Sequence, residues 1–236
     1  MKKTRDTYTG VVVVAAGKGS RMNLDINKQY VEVAGKPVVA RTIQAFEDCE
    51  AIDEIVIVVN KMDLLYCKQN VIDAYDFKKV KSLVAGGDER QKSVYNGLKE
   101  ISENCDIVLI HDGARPFIDE ESILGSIEAA KEYGAAGVGV PVKDTIKVAD
   151  EEGNIKETLN RSLLWAIQTP QTFRYPLVME AHKKAEEEGF SGTDDSVLVE
   201  RLGVKVKLVK GSYNNIKITT QEDLIAAEAI AESQEG

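Results

Sequence analysis

Four consecutive valines, Val11 to Val14, constrain the fold more than any other segment of the chain. β-Branched side chains fit the pleat of a strand, and a run without polar residues is typical of a strand buried on both faces. The alanines and glycines between positions 15 and 19 let a ligand approach the backbone, while Lys18, Arg21 and Lys28 supply positive charge. The segment therefore predicts a buried strand that ends in a phosphate site.

The spacing within this segment excludes two common phosphate loops. A P-loop ends in Gly, Lys and then Ser or Thr, whereas Lys18 and Ser20 flank Gly19 in the wrong order. A dinucleotide fingerprint requires Gly or Ala where this chain has Met22. Neither an ATPase nor a dehydrogenase is favoured, and an ordinary glycine-rich turn remains the alternative to a phosphate site.

Further apolar runs alternate with helical patterns along the chain. Strands are predicted at 55–60, 79–87, from Asp106, and from Ala135, with amphipathic helices between them. This alternation predicts an α/β fold with a mostly parallel sheet flanked by helices. Ligands bind at the carboxyl ends of such strands, so the three polar turns that follow the first, third and fourth predicted strands are expected to converge.

The pattern changes between residues 142 and 166, where apolar residues alternate around an Asp-Glu-Glu-Gly-Asn turn. This is typical of an extended β-hairpin, which has little core of its own and is expected to pack on something else. Contact with a second subunit is the simplest way to bury the apolar residues of this hairpin. We predict a single domain over 1–236, with this hairpin as an arm at about 142–166.

Composition excludes several classes of protein. The formal net charge of −9 and the lack of a basic cluster argue against nucleic acid as a partner. No apolar run approaches the ~18 residues that span a bilayer, and the polar first nine residues are unlike a secretory signal, so we expect a cytoplasmic protein without a membrane partner. Three widely spaced cysteines, Cys49, Cys67 and Cys105, predict reduced thiols.

Oxygen-ligand chemistry is favoured by elimination. There is no GxSxG motif, no paired cysteines and only two histidines, which disfavours nucleophilic hydrolysis and a zinc site. Asp112 directly follows a predicted buried strand, where it could bind Mg2+ or simply cap a loop. Gly86 and Gly87 could expose backbone N–H groups to a base edge or a phosphate, or they could form a plain turn in which Asp88 caps the next helix. The lone cations Arg115, Lys143, Arg161 and Lys217 could belong to a site or to surface ion pairs.

Seven ordered motifs resemble those of the 2-C-methyl-D-erythritol 4-phosphate cytidylyltransferase family over nearly the whole chain. They are AAGKGSRM with Lys28-Gln29-Tyr30, GGDERQKSV, HDGARPF, PVKDTIK, NRSLLWAIQTPQTF, GTDDS and NIKIT. The resemblance implies a Rossmann-like nucleotidyltransferase fold, CTP as a substrate, Mg2+ as a cofactor and a homodimer formed through the β-hairpin arm. It also implies non-mevalonate isoprenoid precursor synthesis, with 4-diphosphocytidyl-2-C-methyl-D-erythritol and pyrophosphate as products.

The same resemblance implies roles for individual residues. The nucleotide would contact residues in or just after the turns that follow the first, third and fourth predicted strands: Ala15, Ala16, Gly17, Gly19, Gly87, Asp88, Ser93, Asp112 and Gly113, with Asp112 also binding the metal. The catalytic cations would be Arg21, Lys28, Arg161 and Lys217, where Arg161 and Lys217 also position the methylerythritol phosphate. Other acceptor contacts would be Arg115, Thr145, Thr169 and Thr193, and Thr145 and Arg161 would reach the partner subunit's site.

Two positions depart from the family pattern. Gly113 stands where alanine is common, which is expected to loosen the turn slightly. Asn214 stands where relatives often have an acidic residue, and its loss would weaken a metal site to which that carboxylate contributes.

The expected reaction is an in-line attack by a substrate phosphate oxygen on the α-phosphorus of CTP. That nucleophile is already anionic near neutral pH, so catalysis reduces to positioning and charge neutralisation. The nearest alternative is ribitol-5-phosphate cytidylyltransferase, although Arg161 with Leu163, Leu164 and Trp165 is more similar to the methylerythritol family. A sugar-1-phosphate nucleotidyltransferase shares only the first loop, and a non-catalytic CTP-binding regulator would bind CTP without releasing pyrophosphate.

Overall fold

The valine run forms the first strand of a computed structural model that describes residues 7–17 and 28–235. The strands are β1 (Thr9–Ala15), β2 (Glu32–Val33), β3 (Lys36–Pro37), β4 (Glu54–Val59), β5 (Val80–Ala85), β6 (Ile107–Asp112), β7 (Ala135–Pro141), β8 (Lys147–Ala149), β9 (Ile155–Thr158), β10 (Trp165–Arg174) and β11 (Lys207–Lys210). The α-helices are α1 (Val38–Asp48), α2 (Leu64–Cys67), α3 (Arg90–Leu98), α4 (Glu120–Tyr133), α5 (Tyr175–Glu187), α6 (Asp195–Glu200) and α7 (Gln221–Glu235). Short 3-10 helices occupy Lys28–Tyr30, Lys61–Asp63 and Arg161–Leu163, and a π-helix occupies Lys68–Asp73.

One large sheet has the strand order β11-β7-β10-β6-β1-β4-β5. β1 lies near its centre and pairs in parallel with β4 and β6, while β5 and β11 also run parallel to their neighbours. The valines of β1 alternate between the two faces: Val11 and Val13 pack with Ile43 and Phe46, whereas Val12 packs on the other side with Leu98. Helices cover both faces, which confirms the predicted mostly parallel α/β fold.

β10 is a strand that the sequence pattern did not predict. It lies antiparallel between β6 and β7, and its register with β7 shifts between Ile167 and Gln171. Its polar Gln-Thr-Pro-Gln-Thr segment contains Pro170, which cannot donate to a sheet ladder and so disguises the strand. This strand brings Thr169 and Gln171 beside the end of β6.

The predicted hairpin is present as β8 and β9, which pair antiparallel and are exposed. Asp150 closes its turn, because its Oδ1 accepts the backbone N–H of Asn154 at 2.8 Å. β10 already begins at Trp165, so the last two residues of the predicted arm lie in the large sheet rather than in the hairpin. Ile155 is 65% exposed, so the described residues leave apolar surface on the arm uncovered.

The last helix packs separately from the main sheet. Ala227 and Ala231 of α7 form a small core with Val33, Val38 and Ile218. Thr220 and Asp223 form a capping box: the Asp223 carboxylate accepts the N–H of Thr220 at 2.8 Å, and the Thr220 hydroxyl accepts the N–H of Asp223 at 3.4 Å.

Cys49, Cys67 and Cys105 are buried and form no disulfide, consistent with the predicted reduced thiols. Across the described ranges, no helix combines the length and apolar character needed to cross a bilayer.

Candidate functional site

The ends of β1, β5 and β6 converge on one cleft, as the sequence predicts. The residues that line it come from all three turns and include most of those predicted to contact the nucleotide: Ala15, Ala16, Gly17, Gly87, Asp88, Ser93 and Asp112. Buried parallel strands present their carboxyl ends at the same edge of the sheet, which is why turns so distant in sequence meet there. Three of the predicted residues cannot be placed in it: Gly19 and Arg21 lie outside the described residues, and so does the side chain of Lys28.

The turn after β5 is held by Ser93 of α3. The Ser93 hydroxyl accepts the backbone N–H of Gly87 at 3.1 Å and donates to the carbonyl of Glu89 at 3.0 Å. Glu89, not Asp88, occupies the position before the helix and makes no capping side-chain bond. The alternative that Asp88 caps this helix is therefore wrong, and its exposed carboxylate stands in the cleft.

Gly113 packs the turn after β6 closely against β1. Its N–H donates to the carbonyl of Val14 at 2.8 Å, and a Cβ added at this position would lie 2.9 Å from the Cβ of Ala15. The glycine thus permits a close approach between the two turns, in contrast to the expected loosening.

Asp112 is the charged centre of the site. Its carboxylate accepts from the Lys217 ammonium at 2.6 Å and from Arg90 Nε at 3.2 Å, and Arg115 Nε lies 3.9 Å away. Burial alone would raise the pKa of this carboxyl, but the three cations outweigh burial and hold the pKa well below its usual range. Asp112 is therefore an anion that organises cations at the edge of the sheet, and the alternative that it simply caps a loop does not describe it.

A second cleft adjoins the first and shares Arg90, Asp112 and Lys217 with it. This second cleft is lined by three of the residues predicted to contact the acceptor substrate: Arg115, Thr169 and Thr193. The two clefts therefore meet at the Asp112 carboxylate and its cations, which is the arrangement that a reaction between two bound phosphate compounds requires.

Thr169 is also a structural partner of Asp112. Its hydroxyl accepts the backbone N–H of Asp112 at 3.0 Å and lies 3.1 Å from Nδ1 of the fully buried His111. Burial lowers the pKa of His111 to about 4, so the ring is neutral near pH 7. His111 Nε2 lies 3.0 Å from the carbonyl of Arg115, an acceptor, so Nε2 donates there and Nδ1 accepts the hydroxyl proton of Thr169.

Two residues predicted to contact the methylerythritol phosphate lie on or beside the exposed arm. Thr145 and Arg161 are exposed and line neither cleft of their own chain. Arg161 Nη1 instead donates to the backbone carbonyl of Lys143 at 2.6 Å, and the Lys143 ammonium lies 3.5 Å from the centre of the Tyr213 ring.

Sequence reasoning gave no role to Arg90, although it stands in the quoted GGDERQKSV motif. Arg90 lines both clefts and bonds both Asp112 and the buried Asp195. Its position in the motif was the available signal, but its partners come from β6 and α6 and are not adjacent in sequence.

The donor set limits how Mg2+ could be bound. In the part of the chain that the structure describes, no three His, Cys, Asp or Glu side chains form a metal-binding group. Mg2+ commonly uses one or two carboxylates together with substrate phosphates, so the single Asp112 carboxylate fits a site that the nucleotide completes. Asn214 is exposed and supplies no carboxylate.

Comparisons with known proteins agree with this architecture. The family model described as IspD, 2-C-methyl-D-erythritol 4-phosphate cytidylyltransferase, matches residues 9–233. A relative of that name from Caldanaerobacter subterraneus subsp. tengcongensis is 56% identical, with 92% of this chain and 96% of the relative covered. Another, from Clostridioides difficile, is 54% identical over 93% of this chain and 92% of the relative.

Solved structures lead to the same family. The crystal structure of 4-diphosphocytidyl-2C-methyl-D-erythritol synthase from Anaerococcus prevotii superposes with a TM-score of 0.85 and 36% identity, covering 96% of each chain. With a family match over nearly the whole chain and relatives more than half identical to it, the chain belongs to the 2-C-methyl-D-erythritol 4-phosphate cytidylyltransferase family.

Proposed function

We propose that this chain transfers the cytidylyl group of CTP to 2-C-methyl-D-erythritol 4-phosphate, in non-mevalonate isoprenoid precursor synthesis. The products are 4-diphosphocytidyl-2-C-methyl-D-erythritol and pyrophosphate. Family membership supports the reaction, and one structural observation supports its location: the two clefts share the Asp112 carboxylate with Arg90 and Lys217.

In this proposal the first cleft binds CTP. The glycine-bearing turn held by Ser93 offers backbone groups to the base, and the alanines and glycine that follow β1 approach the phosphates. The family resemblance also implies Gly19, Arg21 and Lys28 in the triphosphate site, where the two side chains would supply positive charge and the glycine a close approach to the backbone. The methylerythritol phosphate occupies the second cleft, beside Arg115, Thr169, Thr193 and Lys217.

The reaction is a displacement at the α-phosphorus of CTP. A phosphate oxygen of the acceptor forms a new bond to that phosphorus, and the bond from phosphorus to the bridging oxygen breaks, so that pyrophosphate leaves with the electron pair. The nucleophile is an anion near neutral pH and requires no protein base. Lys217 and its neighbouring cations neutralise the negative charge that accumulates where the two substrates meet.

We propose Mg2+ as the cofactor, bound by Asp112 and by phosphate oxygens of the nucleotide. When bound, the ion supplies additional positive charge to the triphosphate. The lowered pKa of Asp112 supports this assignment, since the carboxylate is ionised near neutral pH.

We further propose a single domain that forms a homodimer through the β-hairpin arm, with Thr145 and Arg161 acting in the partner subunit's site. The exposed Ile155 supports an interface on the arm, as does the absence of Thr145 and Arg161 from the linings of both clefts of their own chain. The three buried cysteines form no disulfide with one another, which supports the predicted cytoplasmic location.

The function is tested by measuring pyrophosphate release from CTP and Mg2+ with 2-C-methyl-D-erythritol 4-phosphate. Ribitol 5-phosphate and other nucleoside triphosphates are compared under the same conditions. A strong preference for CTP and the methylerythritol substrate supports the proposal. A preference for ribitol 5-phosphate would overturn the assignment of the acceptor substrate. CTP binding without pyrophosphate release in the presence of any acceptor would instead identify a regulator.

A further inference from the structure

Arg90 lies in the wall between the two clefts, on the first turn of α3. It lines both the proposed nucleotide cleft and the proposed acceptor cleft, and its side chain is 31% exposed. A cation in this position is within the region where phosphates of both substrates would approach each other. Its placement is therefore more specific than that of a surface arginine.

Two carboxylates fix the guanidinium without using all its donors. Nη1 donates to Asp195 Oδ2 at 2.8 Å, and Nε donates to Asp112 Oδ1 at 3.2 Å. Within the described part of the chain, these bonds use two of the five N–H groups that a guanidinium carries. Donors thus remain for a phosphate oxygen, and the orientation of the fork is set before a substrate binds.

Asp195 is itself fixed by contacts with residues other than Arg90. Its side chain is 1% exposed, and its Oδ1 lies 3.2 Å from Nε2 of the equally buried His182. The His182 ring stacks on Tyr95 with an interplanar angle of 8°. The backbone N–H of Asp195 also donates to Gln171 Oε1 at 3.0 Å, so both β10 and α5 keep this carboxylate in place.

Burying the Asp195 carboxylate is costly for folding, whereas its partner Arg90 is only partly buried. Desolvation of the carboxylate offsets much of its attraction to the arginine, and buried ion pairs often contribute no net stability compared with apolar residues of the same size. Stability therefore gives no sufficient reason for the arrangement. Its evident result is a rigid arginine at the junction of the clefts, which is what preorganised charge stabilisation requires.

We propose that Arg90 is a phosphate-binding residue shared by the two clefts and that the buried Asp195 is its positioning residue. The proposal rests on the function proposed above. It assigns Asp195 no contact with substrate, because Asp195 acts through Arg90 alone.

The kinetic test compares Arg90→Gln, Asp195→Asn and the double variant in the pyrophosphate-release assay. We expect Arg90→Gln to lower kcat/KM for both CTP and the acceptor. Asp195→Asn should lower kcat on the order of tenfold to hundredfold, because the arginine loses its orientation, with KM changed less than about threefold. The double variant should be no worse than Arg90→Gln, because the two residues act as one unit.

A matched control removes an arginine of a surface ion pair. Arg201 Nη2 donates to Glu188 at 2.6 Å, and both side chains are exposed, so Arg201→Gln should keep turnover within about twofold of the wild type. Arg90→Lys, which retains the charge but loses the fork, should recover part of the activity that Arg90→Gln loses. Independent, additive losses from Asp195→Asn and Arg90→Gln would overturn the positioning role.

A binding measurement separates this proposal from the proposed function. Calorimetric titration with inorganic tripolyphosphate requires no turnover, and Arg90→Gln should weaken binding by roughly tenfold, whereas Arg201→Gln should leave it unchanged. If the wild type releases no pyrophosphate, the proposed function fails while this titration still decides the role of Arg90. Unchanged tripolyphosphate binding by Arg90→Gln, with its thermal unfolding like that of the wild type, would overturn the proposal.

Discussion

Two buried carboxyl groups at opposite ends of the central sheet have pKa values shifted in opposite directions. Asp112, at the carboxyl end, is surrounded by cations that keep it ionised despite burial. Glu54, at the amino end of β4, is 4% exposed, and burial raises its pKa although its Oε1 accepts the N–H of Ser102 at 2.9 Å. The sign of the pKa shift therefore follows from the neighbours of each group and not from burial alone.

Replacing Lys217 tests the charge at the junction of the clefts. Lys217→Gln should lower kcat about a hundredfold, because the ammonium that contacts Asp112 at 2.6 Å is proposed to neutralise the charge that develops around the α-phosphorus of CTP. Steady-state pyrophosphate release measures the effect, with the exposed Lys205→Gln as the control. A variant with wild-type turnover would remove Lys217 from the reaction.

Replacing Glu54 tests the buried acid far from the clefts. A raised pKa in the folded state means that the native carboxyl binds its proton more tightly than the unfolded chain does. Its contribution to stability is thus present at low pH and is lost as pH rises through the folded pKa. We expect Glu54→Gln to be more stable than the wild type at pH 7, with the difference shrinking as pH falls towards 4.

Urea unfolding at several pH values measures this difference. Glu50→Gln, at an exposed position just before β4, is the matched control and should show no comparable trend. A Glu54→Gln variant whose stability difference is constant with pH would contradict the prediction.

At the scale of elements, the start of α7 determines how the segment containing Lys217 is anchored. Ile218, one residue after Lys217, donates its N–H to the carbonyl of Ala114, and the Asp223 carboxylate accepts the N–H groups of Thr219 and Thr220 at 2.7 and 2.8 Å. A capped helix N-terminus therefore fixes the backbone next to the site.

Removing this cap should loosen α7. Asp223→Ala is expected to lower the free energy of unfolding by about 1–2 kcal/mol, because it leaves two backbone donors without their acceptor. Chemical denaturation measures the change, with Glu232→Ala on the exposed face of the same helix as the control. Asp223→Asn should lose less, since it retains an acceptor oxygen, and equal losses in both variants would argue against the capping bond.

At the scale of the whole molecule, the arm separates two residues of the family's motif from the clefts of their own chain. Thr145 and Arg161 line neither cleft, while Lys217 lies at the junction. In the proposed homodimer, each site would combine Lys217 of one subunit with Arg161 of the other. Neither subunit would then be active alone.

Mixing two inactive variants tests this arrangement. In a mixed dimer of Arg161→Ala and Lys217→Ala subunits, one site would combine the intact Lys217 of the first with the intact Arg161 of the second. Random re-association should therefore recover roughly a quarter of wild-type activity, since about half of the dimers are mixed and each has one intact site. No recovery after mixing, with dimers present by light scattering, would place Arg161 in the site of its own chain.

Much of the fold follows from local patterns in the sequence. The valine run, the other apolar runs and the helical periodicities are contiguous, so they predict buried strands and covering helices without knowledge of contacts. The polar turns after β1, β5 and β6 could also be expected to meet, because the carboxyl ends of parallel strands lie at one edge of the sheet. β10 escaped prediction because Pro170 and its polar neighbours lack the pattern of a strand.

The sequence by itself determined the α/β class, the turns that line the proposed nucleotide cleft and, through its motifs, the family. Only the tertiary structure decided that Arg90 joins Asp112 to Asp195, and that Thr169 supports Asp112 rather than only facing a ligand. The physical reason is that such ion pairs and hydrogen bonds depend on side chains that are 22, 57 and 105 positions apart in the chain. Local propensity carries no information about those distances, which are set only when the sheet assembles and packs its helices.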